Sequence, residues 1–123
     1  MYKNDIFLKT KAFGNLYFKD CISYYEYPRI FICRTDTSNT LFLFYEMKSG
    51  GSFDEWLVAK ISNDEYWNLF SRRQSVQDLY KKKEGGSLWT IRNTYGIEKD
   101  ITEAVNDGSR WLLSLPNKDI FPE

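Results

Sequence analysis

The sequence predicts an α+β domain: a strongly curved antiparallel meander of four to five strands, with a short helix pair inserted before the last strand. Three observations carry this. Aromatic and β-branched runs of strand length recur in RIFICR (29–34), LFLFYEM (41–47) and DEWLVAKI (54–61). The connectors between them, TDTSN (35–39) and KSGGS (48–52), are short and have turn composition. After Ile61 the apolar spacing becomes helical through residues 62–84, then returns to strand.

Taken in order, DIFLK (5–9) reads as a short opening strand and LYFKDCISYYEY (16–27) as a second, with an irregular end at Pro28. In the next two strands both faces are apolar. Ile30 and Ile32 back onto Phe31 and Cys33; Leu41, Leu43, Tyr45 and Met47 back onto Phe42 and Phe44. A sheet with one wet face alternates apolar with polar. Both faces are therefore expected to be covered, one by helices and the other by sheet curvature or a partner.

Ser62 and Glu65 form a capping box at the start of the first helix. Tyr66, Trp67 and Phe70 share a stripe with Leu69 beside them, so Trp67 and, on the second helix, Leu79 are expected to anchor the pair on the sheet. Ser75 and Asp78 start the second helix, Val76, Leu79 and Tyr80 give it an apolar face, and Gly85 with Gly86 ends it. SLWTIRNTY (87–95) returns to strand. ITEAVNDG (101–108) is expected to add a helical turn, capped by Thr102 and closed by Gly108. The tail RWLLSLPNKDIFPE (110–123) is apolar enough to dock, and its prolines favour an extended course.

The chain of 123 residues suits a single domain, 1–123. It has 17 basic and 17 acidic residues, so the total charge gives no support to a nucleic-acid partner. MYKNDIFLKTK lacks the apolar core of a secretion signal, and no run reaches membrane-span length. Cys21 and Cys33 read as reduced thiols of a cytoplasmic protein. The absence of histidine removes Ser-His-Asp and Cys-His catalysis and the commonest zinc ligand. No phosphate loop or dinucleotide fingerprint occurs. No cofactor, metal site or catalytic residue is expected.

Two short helices with basic ends also describe a DNA-reading helix-turn-helix. In that reading Arg72, Arg73, Lys81, Lys82 and Lys83 hold phosphates while Gln77 reads a base edge. A simpler reading has the same cations closing helix C-termini, where each contributes about 0.3–1 kcal/mol. Asp64, Glu65, Asp78 and Glu84 offset all but one of the five cations. Strands flank the pair on both sides, whereas a helix-turn-helix usually sits in a helical core. The structural reading is preferred.

Aromatic residues make up 18% of the chain. If roughly a third of their ring area stayed accessible, over ~1,000 Å² would be exposed, beyond what a monomer usually tolerates. The surplus favours a protein-binding surface or a homodimer. Tyr24, Tyr25 and Tyr27 in YYEYP are its densest cluster, with Trp111 and Phe121 of the tail as the second candidates.

Taken together, YYEYPRIFIC (24–33), LFLFYEM (41–47), EWLVAKIS (55–62) and the short helix SVQDLY (75–80) carry a resemblance. The chain resembles a family of small uncharacterised bacterial domains with a YYxxPxxFxC strand, a WL strand and an IS-started helix pair. The match covers roughly residues 16–95; KKKEGG and the longer tail depart from it. The resemblance implies an α+β fold and a bacterial or phage cytosolic setting, and it carries no catalytic residue across. The expected function is a non-catalytic protein-binding module, such as an immunity protein or a phage-encoded inhibitor in bacterial conflict. The alternative is a nucleic-acid-associated factor using residues 62–84, and the third is a metal-dependent enzyme.

Overall fold

Among the described residues seven strands lie side by side in one antiparallel sheet, in the order in which the chain makes them. They are β1 (Ile6–Thr10), β2 (Gly14–Tyr25), β3 (Tyr27–Thr35), β4 (Leu41–Lys48), β5 (Phe53–Ile61), β6 (Leu88–Thr94) and β7 (Ala104–Val105). Helices α1 (Asn63–Phe70) and α2 (Val76–Lys82) connect β5 to β6, and a 3-10 helix, Gly108–Ser114, follows β7. The computed structural model describes residues 5–25, 27–36, 38–48, 51–94 and 102–123, with the side chains of Tyr25, Tyr27 and Pro28 outside the described set.

The α+β class holds, with the sheet dominant, but the strand count rises from the expected four or five to seven. The helix pair precedes the sixth strand and not the last. Residues 102–107 contain no helical turn. Thr102 instead forms a parallel bridge to Thr10, donating to Lys9 O at 2.6 Å and accepting from Lys11 N at 3.2 Å. This seam brings the two ends of the meander together and curls the sheet into a near-barrel, which leaves little open edge. Gly108 opens the 3-10 helix, so the tail becomes extended only from Leu115. At Gly108 a Cβ would stand 2.8 Å from Leu57 Cδ1 and Leu88 Cβ, which only glycine avoids. Pro28 lies within β3, opposite Tyr24, and the pairing of β2 is irregular there, its register shifting between Ser23 and Tyr24.

Closure creates two cores, one on each face. Inside the curl pack Leu8, Leu16, Phe31, Cys33, Phe42, Phe44, Trp56, Val58 and Ile91. Phe7 of β1 meets Phe31, Phe44 and Trp56 of β3, β4 and β5 at 5.2, 5.8 and 5.6 Å between ring centroids. Only a curled sheet lets its first strand reach its fifth in this way. The outer face, with Ile22, Ile30, Ile32, Leu41, Leu43 and Leu57, is covered by Leu69, Val76, Leu79 and Tyr80 of the helices and Leu115 of the tail. Curvature therefore covers the second face without a partner. Phe31, Phe42, Phe44 and Trp56 are buried inside the curl and Tyr80 in the outer core, most other described rings are half-buried, and Tyr24 and Trp67 are the largely exposed ones among the described residues.

Helix α1 departs from its expected orientation. Leu79 is fully buried as anticipated, but Trp67 is 65% exposed and anchors nothing. The buried residues of α1 are Glu65 and Leu69, with Tyr66 and Phe70 half-buried beside them. Glu65 points inward because it has partners there. It accepts from Ser62 N at 2.9 Å, completing the capping box, and holds Lys83 at 2.8 Å and Lys82 at 3.4 Å. Burial alone would raise its pKa. The hydrogen bonds from Lys83 and Ser62 and the charges of Lys83 and Lys82 outweigh this and hold it below the ordinary 4.5. A depressed carboxylate contributes stability above its unfolded pKa and loses it as pH falls through the folded value. Glu65→Gln is accordingly expected to cost about 1–3 kcal/mol at neutral pH. It should also flatten the loss of stability below pH 4.5, as checked by urea denaturation across an acid series.

Gln77 is 3% exposed and clamps the tail. Its Nε2 donates to Pro116 O at 3.1 Å and Lys118 O at 2.5 Å, and its Oε1 accepts from Ile120 N at 2.9 Å. The amide expected to read a base edge under the nucleic-acid alternative is thus committed within the fold. Gln77→Ala would strand those groups and is expected to cost about 2–3 kcal/mol, with faster amide exchange or proteolysis confined to the tail.

Candidate functional site

Trp67 projects from the solvent side of α1, a helix held by its capping box and by the Glu65–Lys83 pair. Tyr66 sits beside it, ring edge to face at 5.2 Å and 82°. Tyr66 also packs on Phe70 at 4.8 Å and donates its hydroxyl to Asp20 Oδ2 at 2.5 Å, fixing α1 against β2. Burial, then the hydrogen bond and charge of Asp20, push its phenol pKa up to about 12. At neutral pH Tyr66 is therefore a protonated positioning group.

Between this helix and the sheet runs a groove of about 430 Å³, lined by Lys19, Arg34, Asn39, Leu41, Asn63, Tyr66 and Trp67. Aromatic rings orient its cations. Lys19 Nζ lies 5.3 Å from the Tyr66 ring centre and the Arg34 guanidinium 4.9 Å from that of Tyr17. Among the described residues neither cation has a carboxylate within ion-pair distance. Arg34 makes one long contact, 3.5 Å to Thr35 O. The groove thus combines an exposed indole, two cations without anions and two amides.

A larger cleft of about 540 Å³ lies over β6 and the 3-10 helix, lined by Glu55, Thr90, Arg92, Thr94, Glu103, Val105, Asp107 and Arg110. Its charged side chains other than Glu103 pair with one another. Arg92 donates twice to Glu55 Oε2, at 3.1 and 3.0 Å, while Asp107 takes Thr90 at 2.5 Å and Arg110 at 3.0 Å. An anionic ligand there would have to compete with those pairs, so the Trp67 groove is the better candidate despite its smaller volume.

The sequence-predicted residues fall at scattered places. Tyr24 is 58% exposed near the β2–β3 hairpin, while the side chains of Tyr25 and Tyr27 lie outside the described residues. Trp111 is half-buried against the outer core with Arg110 over its ring at 4.8 Å. Phe121 is half-buried under Arg72 at 4.7 Å. Neither presents the open ring expected of it. Of the basic residues, Arg72, Arg73 and Lys81 are exposed, but Lys82 and Lys83 are drawn to Glu65, which breaks up the expected row of phosphate contacts. Among the described residues no three carboxylates or thiols converge as metal ligands, and no helix is long and apolar enough to cross a membrane. Lys19 and Arg34 were missed by sequence reading. The available signal was alternation in LYFK and ICR, which puts Phe18 and Cys33 inside and turns Lys19 and Arg34 out.

The chain matches, over residues 4–122, a family described as a family of unknown function, DUF6575, and belongs to it. Neither a curated protein nor a solved structure matches significantly.

Proposed function

We propose that this member of DUF6575 is a non-catalytic protein-binding module whose contact surface centres on Trp67. The exposure of that indole carries the reading. An aromatic ring left in water on a rigid, capped helix forgoes burial worth about 1.5–3 kcal/mol, which a partner can recover. Tryptophan, tyrosine and arginine dominate binding hot spots, and all three types meet at this groove. Helix α1 is already ordered, so little conformational entropy is lost on contact. Such a module acts by occupying its partner, as an immunity protein or an inhibitor does. Tyr24 lies on a separate exposed position and serves at most as a second contact.

The test uses the full chain and its Trp67→Ala variant as baits on lysate from the source cells. A partner retained by the wild type and lost by the variant, with equal melting temperatures, is the expected result. Undiminished retention of every captured protein by Trp67→Ala would overturn the assignment.

A further inference from the structure

We infer that the groove beside Trp67 takes an acidic peptide segment, with carboxylates against Lys19 and Arg34 and an apolar side chain against the indole. The inference rests on the protein-binding reading and adds the chemistry of the partner. Charge complementarity carries it. The chain is neutral overall, yet among the described residues the groove lining contains two cations and no carboxylate. Asp20, which accepts from the Tyr66 hydroxyl, is not among the lining residues.

Both cations rest against aromatic rings, which restricts them before a ligand arrives. A guanidinium held this way keeps its planar fork for a bidentate carboxylate. Asn39 and Asn63, both exposed at the rim, can exchange hydrogen bonds with a peptide backbone through either end of their amides. A single nucleic-acid strand fits less well. It presents a phosphate at every nucleotide and is held by a cationic track with successive stacking rings, whereas this groove offers two cations and one largely exposed ring.

The experiment is selection of random displayed peptides on the full-length chain, with depletion on the Trp67→Ala variant. Enriched sequences should place Asp or Glu next to Leu, Phe or Trp. A synthetic copy of the strongest should bind in a salt-sensitive manner. Its affinity should fall at least tenfold when Lys19 and Arg34 are both changed to Glu, or to Gln if the double Glu variant melts early. Trp67-dependent peptides without acidic bias, or indifferent to both double variants, would leave the docking surface standing and overturn its acidic occupant. Failure to enrich any Trp67-dependent peptide would overturn the docking surface itself. Two parallel measurements complete the test. Trp67-dependent binding of mixed-sequence single-stranded DNA, tighter than that of the peptide, would reassign the groove to nucleic acid. Trp67-dependent dimerisation in sedimentation of the chain alone would reassign it to a second copy.

Discussion

Tyr80→Ala is expected to lower the unfolding free energy by about 4 kcal/mol, a large share of the ~5–15 kcal/mol typical of a domain. Tyr80 is completely buried where α2 crosses the sheet, and it is among the largest side chains in the outer core. Its hydroxyl lies 2.9 Å from both Leu43 O and Leu57 O, on the adjacent strands β4 and β5. Its ring meets that of Tyr45 edge-on at 6.2 Å. Truncation would open a cavity between helix and sheet and leave the hydroxyl's carbonyl partners without this donor. Tyr80→Phe keeps the ring and loses only the hydrogen bonding, so it should cost about 0.5–1.5 kcal/mol. Urea denaturation of the two variants separates these contributions. Equal losses from both would show that the hydroxyl, and not the ring, ties α2 down.

Phe44→Ala should cost a similar ~3–5 kcal/mol, through the opposite face of the sheet. Phe44 is fully buried inside the curl. It stacks on Phe31 at 5.1 Å and 18°, with the rings of Phe7 and Trp56 against it at 5.8 and 6.0 Å. The surrounding backbone is a hydrogen-bonded near-barrel, so it cannot collapse into the space. Phe44→Leu retains most of the volume and should cost under about 1.5 kcal/mol beyond the lost ring contacts. Tyr80 holds Leu43 O, the carbonyl of the peptide unit that leads into Phe44, so the two effects should couple through β4 despite lying on opposite faces.

Much of this arrangement was legible locally. The strands at 29–34, 41–47 and 54–61 and both helix starts follow from side-chain type and spacing. Their doubly apolar faces correctly required cover on two sides. What the sequence did not reveal depends on long-range pairing. Nothing near Thr102 announces a bridge to Thr10, and a two-residue strand such as β7 has no periodicity to read. The clamp of Gln77 on Pro116, Lys118 and Ile120 joins residues far apart in the chain. Trp67 was misoriented for a specific reason. Hydrophobicity placed the Tyr66–Trp67–Phe70 stripe inward, yet Glu65 is buried, paired with Lys82 and Lys83. Trp67, two residues on from Glu65, then lies on the solvent side of α1.

The functional account stands on that exposure, and the stability of Trp67→Ala measures it most directly. An indole that is 65% exposed and packs mainly on the edge of Tyr66 should contribute no more than about 1 kcal/mol to folding. The expected result in urea is a transition displaced by no more than this, with an unchanged slope. A loss of about 3–5 kcal/mol would place the ring in the core and contradict the account.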